Sequence, residues 1–248
     1  MIYKFRSFNS DFKFQPFTEG KLYFASPNQF NDPYELKPKV VGLDTLEKRE
    51  AFVDSFINKN LNNLNFKQRK EERRKALRRL LDIDLVEKDI HDTLSQYGIF
   101  STAKRWEHIL MWSHYADSHK GFCIGFDFNQ NFDREMGLPI TVTYSDRYPE
   151  LTPGQLSDYD QLFRSTVGTK SDAWSYEEEV RYIKLKRDGG AGLYSFSKEK
   201  IIEVILGASI TEKDRSEIIS IVSKEAPQAK IYQATISQHV YGLDRKEI

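Results

Sequence analysis

Between residues 44 and 97 the chain has no glycine and no proline, and it is dense in lysine, arginine, aspartate and glutamate. Without the two residues that most often punctuate regular backbone, so long a stretch reads as helix. Leu46, Phe52, Val53 and Phe56 fall on one candidate apolar stripe, and Leu77, Leu80, Leu81 and Leu85 on another. The spacing predicts two or three helices, and Gly98 stands where a helix commonly stops. Any fold for this chain has to carry a charged helical bundle at about residues 44–97 as an insertion into something else.

The flanking sequence is mixed. Strands are predicted at 2–5, 21–25, 34–41, 99–102, 121–128, 139–145, 180–185, 193–196, 201–206 and 230–236. Helices are predicted at 106–117, 153–167 and 211–223. Phe122, Ile124, Phe126 and Phe128 alternate with Cys123, Gly125 and Asp127, one set to each face of a strand. Strands and helices interleave irregularly, which favours α+β over a doubly wound parallel sheet. The expectation is a single domain over residues 1–248, with a mixed or antiparallel sheet core and the helical insertion.

Composition removes several function classes. Lys+Arg and Asp+Glu are equal at 37 each, so the chain is not a globally basic nucleic-acid binder. A single cysteine, Cys123, forms no internal disulfide, and without Cys-x-x-Cys there is no thiolate zinc site. No N-terminal signal run and no membrane-length apolar stretch are present, so the expected setting is the cytoplasm, with no membrane partner.

Several clusters invite a chemical reading. Lys67, Arg69, Lys70, Arg73, Arg74, Lys75, Arg78 and Arg79 form a basic run. It lacks interleaved aromatics for base stacking, so a solvated helix with internal ion pairs is the favoured reading. The histidines show no helical metal spacing: His108 and His114 point about 120° apart, and His114 and His119 about 140°. Gly189-Gly190-Ala191-Gly192 leads into a strand rather than a helix and reads as a hairpin loop, not a phosphate cradle. Trp112 and Tyr115 share a helix face with His108 and His119; the stripe serves either to stack a planar ring or to pack a helix on a sheet. Around Trp174-Ser175-Tyr176-Glu177-Glu178-Glu179-Val180-Arg181-Tyr182 two readings stand level. If the segment is extended, Glu177 and Glu179 share a face with Arg181 next in line, which suits chemistry with developing positive charge. If it is helical, Ser175 and Glu178 form a capping box.

These residues resemble the bacterial and phage family called domain of unknown function 2971. The likeness is carried by Tyr3-Lys4-Phe5-Arg6, by Leu22-Tyr23-Phe24-Ala25-Ser26-Pro27, and by Phe30-Asn31-Asp32-Pro33-Tyr34-Glu35. It continues through Phe100-Ser101, Leu110-Met111-Trp112-Ser113-His114-Tyr115-Ala116, His119, Gly121 and Cys123-Ile124-Gly125-Phe126, and ends on Trp174, Tyr176-Glu177, Glu179 and Arg181. A looser resemblance is to ADP-ribosyltransferases, in which an aromatic or Arg on the first strand, a Ser-Thr strand and a later Glu bind and cleave NAD. Here Tyr3 or Arg6, Ser101-Thr102, and Glu177 or Glu179 would fill those parts.

What that resemblance implies is an NAD-consuming enzyme modifying nucleic acid or protein, as a toxin or anti-phage effector. Glu179 would be the catalytic carboxylate with Glu177 assisting, and His114 and Tyr115 would position the substrate. Arg6 or Arg181 would hold the pyrophosphate, and Trp112 or Tyr115 would stack on nicotinamide. Two other expectations stand beside it. One is a metal-dependent nuclease or hydrolase with Asp32, Glu35, Glu177, Glu179 and His114 around a hard cation. The other is a non-enzymatic nucleotide-sensing or protein-interaction module. In each, the helices of 44–97 would serve for partner docking or homo-oligomer formation.

Overall fold

The computed structural model describes residues 1–129 and 133–248. The fold class is α+β. The chain divides into two compact units: Met1–Gln29 with Tyr97–Val142 and Ala173–Ile248, and Phe30–Gln96 with Thr143–Asp172. The helical stretch thus shares its unit with residues 143–172 rather than standing alone.

The first unit is built on an eight-stranded sheet. Its strands are β1 (Ile2–Arg6), β2 (Gly98–Ala103), β3 (Phe122–Phe126), β4 (Leu138–Thr141), β5 (Glu179–Lys184), β6 (Ile201–Leu206), β7 (Lys230–Ile236) and β8 (Leu243–Glu247). Their order across the sheet is β8-β7-β6-β3-β1-β2-β5-β4. Every neighbouring pair is antiparallel except β6 and β7. Parallel neighbours need a crossover, and here the helix Glu212–Glu225 supplies it.

All five residues of β3 are buried, so its alternation separates two cores rather than core from solvent. Phe122, Ile124 and Phe126 join a cluster with Phe17, Phe24, Phe100, Ile218 and Val222. On the other face Cys123 meets Tyr3, Phe5, Met111, Trp112 and Ile205. Helix Glu212–Glu225 covers the first face and helix Ile109–Tyr115 the second.

The sheet opens between β1 and β2. They share one pair, Tyr3 opposite Ala103. Beyond it Ile99 of β2 exchanges both backbone hydrogen bonds with Ala25, at the end of the strand Lys21–Phe24. Lys4 spans the opening: its Nζ donates to the Ser101 carbonyl at 2.8 Å and lies 5.2 Å from the centre of the Phe100 ring.

The second unit contains the helices Leu46–Asn60, Phe66–Arg79, Ile83–Leu94 and Tyr159–Val167. The three helices of the glycine-free stretch each start on a side-chain cap: Thr45, Asn65 and Asp82 accept from the backbone N–H of Lys48, Gln68 and Leu85. Their shared core is Leu43, Val53, Ile57 and Leu80.

Several expected elements change. Of 34–41 only Lys39–Val40 is strand, because the chain turns through Leu36 at φ 56°. Residues 139–145 split into β4, in the first unit, and Thr143–Ser145, which pairs with Thr169–Ser171 within the second unit. Residues 153–167 split into Pro153–Leu156 and Tyr159–Val167, the second begun by the Asp158 cap. Gly192–Ser195 pairs with Lys21–Phe24 rather than folding back on β5, so the glycine run is a crossing connection and not a hairpin. In the helical stretch Leu46, Leu81 and Leu85 face solvent and Ile57 takes their expected place in the core.

Candidate active site

The segment leading into β5 is a 3-10 turn, Asp172–Glu177, followed by Glu178 at φ 43°. A non-glycine residue in the left-handed region is unfavourable and marks a turn that its surroundings impose. It breaks the strand phase between Glu177 and Glu179, so the extended reading of 177–181 fails at its first residue. The capping box fails as well. The Glu178 carboxylate goes to Arg105 at 3.4 Å, and only its backbone N–H reaches back, to the Ser175 carbonyl at 3.3 Å.

Beyond the turn, Glu179 and Arg181 are in phase on one face of β5 and buried, at 3% and 0% exposure. The Arg181 guanidinium donates from Nε to Glu179 Oε1 and from Nη2 to Oε2, both at 2.9 Å. A carboxylate held by such a fork keeps its orientation. Ser101 of β2 lies directly opposite Arg181 in the strand register. Thr102, facing the other way, donates its hydroxyl to the Val180 carbonyl at 2.7 Å.

Glu177 is also buried, and its Oε1 accepts the Tyr115 hydroxyl at 2.6 Å. Aromatic rings gather around this turn. The His108 ring stacks on Tyr176 at 5.3 Å and 21°. His114 contacts Tyr115, Trp174 and Tyr176, with ring centres 6.1 to 6.4 Å apart. His108 Nδ1 is buried with no hydrogen-bond partner among the described residues. Helix Ile109–Tyr115 therefore presents His114 and Tyr115 to the acidic turn, and Met111 and Trp112 to the sheet.

Other expected site residues lie elsewhere. Trp112 is fully buried; its indole N–H donates to the Trp106 carbonyl at 2.6 Å, Phe5 meets it edge-on at 5.2 Å, and His119 stacks at 6.2 Å. It packs the helix on the sheet rather than offering a stacking face. Tyr3 points its hydroxyl to Glu203 at 3.1 Å, and burial with the facing carboxylate pushes its pKa well up. Arg6 is paired with Phe122 in the register and falls on the face opposite Phe5, Glu179 and Arg181. Its Nη1 reaches the Phe12 carbonyl at 3.4 Å, its Nε is buried without a partner, and burial draws the guanidinium down to about 10. The sheet thus separates the cationic first strand from the acidic turn.

Asp32 and Glu35 belong to the second unit. Glu35 pairs with Lys170 at 3.0 Å, both side chains buried, and Asp32 caps the Tyr34 N–H at 2.9 Å. Among the described residues no group of three or more His, Cys, Asp or Glu is arranged to hold a metal ion. No helix of the described residues is long and apolar enough to cross a membrane.

Residues 111–182 match the model of the family described as Protein of unknown function (DUF2971). Over that stretch the chain is similar to the family; the match covers less than a third of its 248 residues. No curated protein and no solved structure matches it. The DUF2971 match begins inside helix Ile109–Tyr115 and ends within β5, so it holds both sides of the Tyr115–Glu177 contact and the Glu179–Arg181 pair. Tyr176 and Trp174, which wall the turn, stand in the acidic segment singled out above but carry no expected site role, because a 3-10 turn has no apolar period to show which way its rings face.

Proposed function

We propose that this chain transfers ADP-ribose from NAD to a nucleic-acid or protein acceptor, with Glu177 as the carboxylate that meets the developing charge. The observation that carries the reading is the Glu177 carboxylate, buried in a ring-lined turn and fixed by the Tyr115 hydroxyl at 2.6 Å. In such a reaction the ribose C1′–nicotinamide nitrogen bond breaks and nicotinamide leaves with the electron pair. C1′ passes through an oxocarbenium-like state, as in glycoside chemistry. An acceptor oxygen or nitrogen then bonds to C1′ and gives its proton to the carboxylate. A preorganised anion in a poorly solvated site stabilises that cation without reorganising during the reaction.

The roles of the two glutamates are exchanged relative to the sequence expectation. Glu179 is clamped by Arg181 through both oxygens, and a carboxylate so held is a poor proton acceptor. We assign Glu179 and Arg181 to positioning the turn, and His114, Tyr176 and Trp174 to flanking the nicotinamide ring. A toxin or anti-phage role would be the biological setting of the same activity.

The test is release of nicotinamide from NAD, with transfer of adenine-labelled product to RNA, DNA or protein acceptors. Wild-type chain should release nicotinamide. Glu177→Gln should lower turnover about 100-fold or more while NAD still raises the melting temperature. Absence of turnover in the wild type with every acceptor class, or full activity in Glu177→Gln, would overturn the proposal.

A further inference from the structure

Helix Phe66–Arg79 is strongly basic within a chain whose formal net charge is zero, and its cations fall into two sets. Arg73 reaches Asp54 at 2.7 Å and Glu50 at 3.2 Å, Arg74 reaches Glu71 and Lys75 reaches Glu72 at 2.9 Å, and Arg79 pairs with Asp89. These are the internal ion pairs that the solvated-helix reading expects. Lys67, Lys70 and Arg78 have no ion pair among the described residues, and all three are exposed. With Arg74 they are spaced three, four and four residues apart, which places them along one face over about 16 Å.

That face borders a groove of about 740 Å³ whose apolar lining is Leu46, Leu77 and Leu81. Leu46 is 61% exposed and Leu81 68%, although the spacing of each suits a core stripe. Leu80, next to Leu81, is the residue that enters the core. The groove therefore combines exposed leucines with a rim on which Lys67, Lys70 and Arg78, without an ion pair among the described residues, stand beside the paired Arg73, Arg74 and Glu71.

We propose that this groove docks an acidic amphipathic helix of a partner protein. Both halves of the surface are then used. Leucines or isoleucines three and four residues apart on the incoming helix would cover Leu46, Leu77 and Leu81, and its flanking glutamates would face Lys67, Lys70 and Arg78. A nucleic-acid backbone would engage the cations but leave the leucines against water, and no aromatic residue lines the groove for base stacking.

The probe is a labelled synthetic helix with Leu at positions three and four apart and Glu on the flanks, titrated with the full chain by fluorescence anisotropy. A dT20 oligonucleotide and phosphatidylserine-containing vesicles are titrated alongside. The expected result is saturable peptide binding, weakened about ten-fold or more by Lys70→Glu/Arg78→Glu and also by Leu81→Ser, with the circular dichroism melt of each variant unchanged. Sensitivity to Leu81→Ser separates groove docking from charge attraction alone. No peptide binding, binding indifferent to either variant, or tighter binding of the oligonucleotide or the vesicles would overturn the proposal.

Discussion

Glu203→Gln attacks the polar network that ties three strands of the main sheet. Glu203 lies on β6 at 4% exposure; its Oε1 accepts the Tyr3 hydroxyl of β1 at 3.1 Å and Arg245 Nη1 of β8 at 2.6 Å. The Arg245 guanidinium lies 4.3 Å from the Tyr232 ring centre and 5.1 Å from that of Trp106. Gly125 of β3 faces both Tyr3 and Glu203 in the register, and a Cβ there would sit 2.7 Å from Glu203 Cγ. The missing side chain is what lets the phenol cross β3. Removing the charge strands Arg245, and breaking a buried pair costs about 3–5 kcal/mol. The Arg245 side chain keeps 28% exposure, so solvent recovers part of that. Gln can still accept from Tyr3, so that bond adds less than the ~1 kcal/mol of its full loss. The net expectation is a loss of about 2–3 kcal/mol, or about 5–10 °C in melting temperature for a chain of this size. Urea unfolding followed by tryptophan fluorescence is the assay, because Trp106, Trp112 and Trp174, the three tryptophans of the chain, all lie in the first unit. A companion triple variant, Tyr3→Phe/Glu203→Leu/Arg245→Met, should fall nearer the wild type than Glu203→Gln, since an apolar replacement of the whole network leaves no charge stranded. A Glu203→Gln loss below about 0.5 kcal/mol, the range of ordinary surface substitutions, would refute the reasoning.

Burial, with Glu203 facing Tyr3 and Asp133 acting on Tyr182, raises both phenols, Tyr182 to about 12. Their contribution to stability is complete below the unfolded tyrosine value of about 10 and is lost as pH rises through the folded values. Ultraviolet titration should therefore show at least these two of the 13 tyrosines ionising only with unfolding. Tyr182→Phe, whose hydroxyl has no partner among the described residues, should hold stability at pH 7 and flatten the alkaline loss. Asp133 is buried, which alone would raise its carboxyl, but the N–H groups of Asn129, Met136 and Glu135 at 3.0 to 3.1 Å and the nearby Lys200 hold it below the usual range. Its stabilisation is present above about pH 4 and lost as pH falls through the folded value. Asp133→Asn should cost about 1–3 kcal/mol at pH 7, with the difference shrinking in acid in the same urea assay; a gap that stays constant to pH 3 would remove the carboxylate charge from the account.

The strands of the main sheet were legible because they are short apolar runs set off by turn residues, and seven of the eight carry that pattern. β8 does not. Leu243-Asp-Arg-Lys-Glu is charged along its length and is strand only because it pairs at the sheet edge with β7. The helices of 44–97 were legible as helices, but the faces they bury were not. Their caps and the Val53, Ile57 and Leu80 contacts choose a rotation that leaves Leu46 and Leu81 outside. Propensity sets the state of such a segment, and its neighbours in space set which side faces in.

The candidate site turns on parity. In a strand each residue's face follows from its neighbour's, so a single known contact fixes the rest. On β1, Phe5 against Trp112 puts Tyr3 on the helix side and Arg6 on the other, and nothing between them interrupts the count. On the acidic segment the count is interrupted. Glu178 in the left-handed region resets it, so Glu179 and Arg181 keep strand phase while Glu177 enters from the 3-10 turn and finds Tyr115. Period-two reasoning run straight through 177–181 assigns all three side chains by one rule, where the chain uses two. A glycine or an Asn-Gly pair would have advertised the reset; a glutamate among glutamates does not, since its own residue type disfavours the conformation it adopts. The Glu177 carboxylate on which the proposed reaction rests is therefore set in place by the backbone of Glu178, where no turn residue marks a bend.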